Sequence, residues 1–263
     1  MARSTFYYHL KNSSSEDKYK EVKNKITAIF HKHKGRCGYR RVTLELRREL
    51  PDINHKTVKK LMDELGLKSK VRKVRYRSYK GDVGKTAPNI IDRDFAAYKP
   101  LQKVATDVTQ INICGSKIYL SPVLDMFNGE ILSYAISYSP DLRMVMDMLE
   151  QLYEKVEIPE GMLMHSDQGW HYQHSAYQRN LKNHHIVQSM SRKGNCLDNS
   201  MMENFFGIMK SELLYLNDYN SMEEFVDDLN AYVDYYNNER IKLRLNGMSP
   251  VQYREAFMAS IIV

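Results

Sequence analysis

The chain has 263 residues, 43% hydrophobic and 27% charged, an ordinary globular balance with length enough for one large core or two smaller ones. No window approaches about 18 consecutive apolar residues, and the opening "MARSTFYYHLKNSSS" has no apolar signal core, so neither a helical membrane span nor a secretory leader is expected. The formal net charge of +7 is unevenly placed: residues 1–80 carry 23 Lys+Arg against 8 Asp+Glu, and the remainder 16 against 24. A basic part joined to an acidic remainder points to a phosphate backbone as partner of the first, through counterion release. Cys37, Cys114 and Cys196 are odd in number and far apart, which argues against a disulfide framework and fits a reducing cytoplasm.

Three amphipathic segments come first. "DKYKEVKNKITAIFHKHK" (17–34) places Val22, Ile26, Ile29 and Phe30 at helical spacing. "YRRVTLELRREL" (39–50) repeats the pattern with Val42, Leu46 and Leu50, and Pro51 stops it. "INHKTVKKLMDELGL" (53–67) has Asn54 as N-cap, then Val58, Leu61, Met62 and Leu65, with Gly66 at its end. Three short helices, the last two joined by a tight turn, predict a helix-turn-helix over residues 1–67. The third helix then shows His55, Lys56, Lys59 and Lys60 on its polar face, available to phosphates or base edges. A small helical bundle with a solvated lysine face is the plainer alternative. In "HKHKGRC" (31–37), His31, His33 and Cys37 lack a fourth zinc ligand, so a helix end capped by cations is expected there.

"KSKVRKVRYRSYK" (68–80) contains seven basic residues and no acid, Arg72, Lys73, Arg75 and Arg77 among them. Such a run repels itself unless a polyanion lies alongside. Residues 68–87 are therefore expected to be a basic linker along DNA, or else a flexible charged connector.

From about residue 88 the pattern changes to strands. "QKVATDVTQINI" (102–113), "KIYLSPVLDMF" (117–127) and "EILSYAISYS" (130–139) read as three antiparallel strands, joined at Gly115-Ser116 and Asn128-Gly129. A helix (141–156), a short buried strand (161–167), a helix (174–184), a strand (185–190) and a long helix (197–215) follow. The order βββαβαβα predicts an α/β core over 88–215, a mixed five-stranded sheet flanked by helices. Residues 216–263 read as a helical extension. Ser221 and Glu224 form a capping box there, and Ser249-Pro250 starts another helix. Tyr232, Tyr235 and Tyr236 are assigned to the core, and Arg240, Lys242 and Arg244 to further DNA contacts.

Sites in open α/β sheets lie beyond strand ends. Asp107, in the middle of the first predicted strand, is costly to bury without a cation. Asp167 closes the fourth strand, and Glu203 lies about one turn inside the long helix. This topology can bring the three together, where they would repel one another unless a cation intervened. Hard oxygen donors, with no thiolate or multiple-histidine set, suit Mg²⁺ or Mn²⁺.

Asp107, Asp167 and Glu203, with 35 residues between the last two, match a DDE triad of the retroviral-integrase kind. "TDVT", "HSDQG", "SRKGNCLDNSMMENFFGIMKSE" and "YNNERIKLRLNGMSPVQY" resemble the OrfB transposases of the insertion-sequence-three family. "GYRRVTLELRRELPDINHKTVKKLMDELGL" resembles that family's N-terminal module, so the likeness covers nearly the whole chain. Lys210, seven residues after Glu203, matches the family's extra basic position. Val104 stands where a tryptophan is common, a difference of packing.

The resemblance implies a ribonuclease-H-like fold and DNA transposition: cleavage at the ends of an insertion sequence to free a 3′-hydroxyl, then strand transfer, through a circular intermediate. Two Mg²⁺ or Mn²⁺ ions per active site would serve the in-line displacement, with Asp107 bridging them and Asp167 and Glu203 each completing one site. The implied partners are double-stranded DNA, as terminal inverted repeats and target, and at least a second copy of the chain, because two element ends are joined. "MARSTFYYHL" resembles an internal stretch of such enzymes, whose upstream reading frame often adds a further segment by fusion. The expected place of action is the bacterial cytoplasm, on the nucleoid when DNA is bound.

Lys210, two turns along the helix from Glu203, is expected to hold a phosphate of the terminal base pairs. Arg192 and Lys193, before Gly194 in a loop, are expected to touch phosphate. Asp198 or Asn199 is expected to cap the long helix, and Asp125 to be structural rather than a partner of Asp107. His165 is assigned to the core rather than the metal shell, and His171 and His174 to loop surface. Gly169 and Trp170 are read as shaping a DNA-facing loop. Two rival functions remain open on the residues alone: a non-enzymatic helix-turn-helix regulator, and a ribonuclease-H-like nuclease for RNA–DNA hybrids. The spaced acids and Lys210 argue against the first, and the basic helix-turn-helix against the second.

Overall fold

The computed structural model describes residues 17–69, 86–192 and 196–261. The chain divides into two compact units, Met1–Lys70 and Val71–Val263.

The first unit holds α1 (Lys20–Lys32), α2 (Tyr39–Leu46) and α3 (His55–Glu64). Their apolar stripes meet in one core of Ile26, Val42, Leu46, Val58, Leu61 and Met62, closed by Cys37. Asn54 caps α3 as expected, accepting the Lys56 N–H at 2.8 Å. His55, Lys56, Lys59 and Lys60 are all exposed on α3. His33 departs from the helix-end reading. It is 1% exposed and turns inward, Nε2 lying 2.8 Å from Glu45 Oε2. Burial alone would depress the imidazole, but Cys37 and Glu45 beside it raise it to about 9. The hydrogen bond from His33 holds Glu45 at about 2 against the opposing effect of burial, with help from Lys32.

The second unit is built on one sheet of six strands: β1 (Lys103–Thr106), β2 (Thr109–Ile113), β3 (Ser116–Asp125), β4 (Ile131–Ser137), β5 (Leu163–Ser166) and β6 (Val187–Met190). The strand expected over 102–113 is two strands. Both run antiparallel to β3, β1 against its Val123–Asp125 end and β2 against Ser116–Leu120. Asp107 and Val108 fall between them, outside the ladder, so Asp107 sits at a break and not in mid-strand. β4 lines the other side of β3, and β5 and β6 follow β1 in parallel. The result is the predicted mixed sheet with its first strand interrupted at 107–108.

Among the described residues six helices surround it: α4 (Leu142–Lys155), α5 (Trp170–Gln173), α6 (Ser175–Asn183), α7 (Ser200–Met209), α8 (Met222–Asn238) and α9 (Pro250–Ile261). Alternation along β1 separates two cores. Val104 joins Met148, Leu152 and Tyr177 of α4 and α6. Ala105 joins Met202, Phe205, Phe225 and Tyr232 of α7 and α8 on the other side. The long helix expected over 197–215 starts as a 3-10 turn (Cys196–Asn199) and ends as a π turn (Lys210–Leu214).

The C-terminal segment clamps that π turn. Arg240 Nε and Nη2 each lie 2.7 Å from a Glu212 carboxylate oxygen, and the Tyr232 hydroxyl donates to the same carboxylate at 3.2 Å. Lys242 Nζ donates to the Gly129 carbonyl at 3.0 Å and to the Tyr236 hydroxyl at 2.8 Å. Arg240 and Lys242 are therefore internal braces and not the DNA contacts expected of them; Arg244 is exposed. The two expected N-terminal caps are present, with Glu224 N–H donating to Ser221 Oγ at 3.1 Å and Gln252 N–H to Ser249 Oγ at 3.3 Å. Among the described residues no helix is long and apolar enough to cross a membrane.

Candidate active site

β1 and β5 are parallel neighbours, paired Val104 with Met164 and Ala105 with His165. Continuing that register sets Asp107 opposite Asp167, each just past the end of its strand. Adjacent strands lie roughly 4.8 Å apart, so both carboxylates leave the sheet at one edge. Asp107 Oδ1 accepts its neighbour Val108 N–H at 2.8 Å, and Asp167 Oδ1 accepts Gly169 N–H at 2.7 Å. Glu203 stands in the first turn of α7, which Met202, Phe205 and Phe206 anchor on the Ala105 face.

The electrostatics register this convergence. Burial pushes the Asp107 carboxyl well above its ordinary range, the charges of Asp167 and Glu203 push the same way, and Val108 N–H and Lys210 pull it back. Asp167 is also raised by burial, against the Gly169 N–H and His171. Lys210 Nζ donates to Thr109 Oγ1 at 2.9 Å, which puts its charge across the strand break beside Asp107.

The supporting residues have definite tasks. His165 is fully buried, with Nδ1 2.9 Å from Ser189 Oγ and Nε2 2.9 Å from the Asp198 carbonyl, so it ties the approach to α7 onto β5 and β6. Burial depresses its imidazole, consistent with a neutral core histidine. Asp198 does not cap the helix. It is 0% exposed and receives Arg192 Nε at 2.9 Å, Arg93 Nε at 3.0 Å and Asn89 Nδ2 at 3.1 Å, with Arg192 first in holding it far below the carboxylate range. Asn199 takes the N-cap position but makes no side-chain cap bond. Arg192, expected on phosphate, is half-exposed and engaged by Asp198 and by Asp92 at 3.0 Å.

Asp125 is structural, as expected: it accepts Leu101 N–H and Phe127 N–H, both at 2.9 Å, and burial raises it to about 6. His171 departs from the loop-surface reading, being buried with Nε2 2.7 Å from the Pro140 carbonyl. His174 is exposed and caps α6, its Nδ1 accepting Ala176 N–H at 3.2 Å. Trp170 is exposed, its ring 4.1 Å from that of His171. Lys193, Arg72, Lys73, Arg75 and Arg77 lie outside the described residues.

Sequence reasoning missed Tyr172 in α5. It is fully buried, and burial, then the charges of Asp107 and Asp167, hold its phenol well above its ordinary value, with Thr106 opposing them. Its only advance signal was the bulk of "WHYQ" straight after Gly169.

Among the described residues no three His, Cys, Asp or Glu side chains form a group placed to hold a metal ion. Asp107 and Asp167 instead turn one oxygen each onto their own backbone. The donor set nevertheless fits a hard divalent cation: the charges of Asp167 and Glu203 raise Asp107, and both amide atoms of the buried Asn199 lack partners in the turn before Glu203.

Residues 97–196 match the family model described as an integrase core domain, residues 203–258 a second integrase core domain model, and residues 16–75 an HTH-like domain. InsK of insertion sequence element IS150 in Escherichia coli K12, a protein named as a transposase, is 52% identical over 252 residues, 96% of this chain and 89% of InsK. Transposase InsF of insertion sequence IS3A, from the same strain, is 30% identical over 236 residues, 89% of this chain and 82% of InsF. A chain of the simian T-cell lymphotropic virus intasome, solved in complex with PP2A regulatory subunit B56 gamma, shares the fold: TM-score 0.53 at 14% identity, over 88% of this chain and 74% of that one. A helix-turn-helix unit followed by an integrase core defines a polynucleotidyl transferase acting on DNA. The chain belongs to the insertion-sequence-three family of transposases, and its activity is DNA transposition.

Proposed function

We propose that Asp107, Asp167 and Glu203 are the catalytic carboxylates and hold two Mg²⁺ or Mn²⁺ ions, for cleavage at insertion-sequence ends followed by strand transfer. The observation that carries this is the β1–β5 register, which delivers Asp107 and Asp167 to one sheet edge while Glu203 and Lys210 act on Asp107. The ions would supply Lewis-acid activation of an attacking oxygen and charge neutralisation at the leaving oxygen. The chain's own part is to present Asp107, Asp167 and Glu203, which would hold the ions, beside the scissile phosphate. Lys210 offers positive charge to a phosphate of the terminal base pairs from its place over the strand break.

The exposed His55, Lys56, Lys59 and Lys60 of α3 are proposed to read the terminal inverted repeats, with Arg72, Lys73, Arg75 and Arg77 following the backbone beyond them. Arg192, for all its pairing with Asp92 and Asp198, and Lys193 are proposed to touch phosphate. The functional division is 1–67 for repeat binding, 68–87 as linker, 88–215 for catalysis and 216–263 as the brace of α7. Joining two ends calls for at least a dimer on DNA, and a fusion to an upstream reading-frame product would extend the DNA-binding part. The site of action is the bacterial cytoplasm, at the nucleoid.

The test is joining of a labelled pre-cleaved element end to a target duplex, with and without Mn²⁺, together with anomalous scattering from Mn²⁺-soaked crystals. Mn²⁺-dependent joining and an anomalous peak among the three carboxylates are expected. Joining in chelator, or full activity in Asp167→Asn, would sink the proposal.

A further inference from the structure

Trp170 is the chain's single tryptophan, and it is 54% exposed, three residues after Asp167. It opens α5, behind the turn that grips that acid. Gly169 N–H donates to Asp167 Oδ1 at 2.7 Å, and a Cβ on Gly169 would lie 2.9 Å from the same oxygen, so the turn leaves no room for a side chain there. The turn is pinned on both flanks. Gln168 Nε2 donates to the Ser191 carbonyl at 2.9 Å, and Gln188 Nε2 to the Tyr172 carbonyl at 2.7 Å. His171 is buried, with Nε2 2.7 Å from the Pro140 carbonyl, and the indole lies against that fixed imidazole, ring centroids 4.1 Å and planes 31° apart. A ring of this size ordinarily gives its area to a core. Here a rigid mount holds more than half of the residue in solvent beside the acids.

Placement says what the ring can meet. Tyr172 sets α5 on the Val104 face of the sheet, whereas α7, which carries Glu203, packs on the Ala105 face. Trp170 therefore borders the Asp107–Asp167 edge from the side opposite Glu203. The substrate of the family is DNA, and an uncharged indole has little to offer a phosphate. What it offers is a π-face, and every nucleobase presents one. Inside an intact duplex both faces of a base are covered by its neighbours. A face comes free where the strand is broken or sharply kinked, as at the bond being cut or joined.

We propose that Trp170 is a substrate-binding residue whose indole stacks on the nucleobase next to the scissile phosphate. This rests on the assignment of the catalytic edge above. The base belongs to the element end or to the target strand; the contact is the same for either, and separate substrates tell them apart.

The full chain is titrated, without metal, with a pre-cleaved element end and with a target duplex nicked at the joining position, each made with the base beside the break intact or removed as an abasic site. Emission of the sole tryptophan should fall on binding the intact-base duplex and stay unchanged with its abasic counterpart, and the substrate that shows this names the source of the base. Trp170→Ala should melt as wild type does, raise the KM of joining about tenfold on the intact substrate, and lose nothing further on the abasic one. Trp170→Phe should keep most of the wild-type behaviour. Tyr98→Ala removes another exposed aromatic, ahead of β1 at its far end, and should join as wild type does. Equal emission with intact and abasic duplexes of both kinds overturns the inference. So does a Trp170→Ala loss of equal size on intact and abasic substrates, or a Trp170→Ala chain that melts well below wild type, which makes the ring a fold contact with His171. Wild-type joining by Asp167→Asn overturns the catalytic reading instead, since the emission readout needs no metal ligand.

Discussion

Arg240 holds Glu212 through two hydrogen bonds of 2.7 Å, with both residues buried, so the chain's last fifth is tied to the helix that carries Glu203. Removing one partner leaves an uncompensated charge inside. Arg240→Ala should cost about 3–5 kcal/mol, read as a lowered denaturant midpoint. The double change Arg240→Met with Glu212→Leu should recover most of that loss, and a double variant as unstable as the single one would refute the buried-charge explanation.

Asp107 and Asp167 crowd like charges at one sheet edge. Asp167→Asn relieves that crowding, so the metal-free protein should gain roughly 1 kcal/mol of stability. Joining activity should fall at least about a hundredfold if Asp167 is the cation ligand proposed above. Melting curves and product counts on the same preparation check both halves, and a stability loss would show that Asp167 is a fold residue.

The His33–Glu45 pair gives the N-terminal unit a two-sided pH profile. His33 at about 9 stands above its ordinary 6.5, so its contribution is full below about pH 6.5 and is lost as pH rises through 9. Glu45 at about 2 stands below its ordinary 4.5, so its contribution is full above about pH 4.5 and is lost as pH falls through 2. Stability should peak between those limits, with an alkaline loss of up to roughly 3 kcal/mol. His33→Gln should flatten the alkaline limb in melting experiments; an unchanged limb would assign it elsewhere.

Lys56 and Lys59 are exposed on α3 and proposed to meet phosphate. Each alanine substitution should weaken binding to a terminal-repeat duplex and reduce the slope of log K against log salt by about 0.9. An unchanged slope would return that face to plain solvation.

Much of this was legible in the sequence, because helix stripes, caps and strand alternation are local signals. Asn54, Ser221 and Ser249 cap helices where their spacing said they would. The sheet and its flanking helices followed from element order. What escaped was set by tertiary partners. Unbroken β-propensity across "VATDVTQINI" hid the strand break, which falls where the register shared by β1 and β2 against β3 sets Asp107 opposite Pro122, a residue with no N–H to give the ladder. Arg240 and Lys242 looked like surface cations, since nothing local announces that Glu212 and the Gly129 carbonyl await them. Asp198 looked like a cap for the same reason, its arginine partners lying at 93 and 192.

The break at Asp107 also limits how this enzyme can vary. β2 alternates buried Ile111 and Ile113 with exposed Gln110 and Asn112, so inserting or deleting one residue at 107–108 would swap its inner and outer faces. Length changes there would ruin the sheet along with the chemistry. Only substitutions that keep the count can separate a dead enzyme from an unfolded one, and inactive copies that still occupy element ends should therefore carry point replacements at this position rather than gaps.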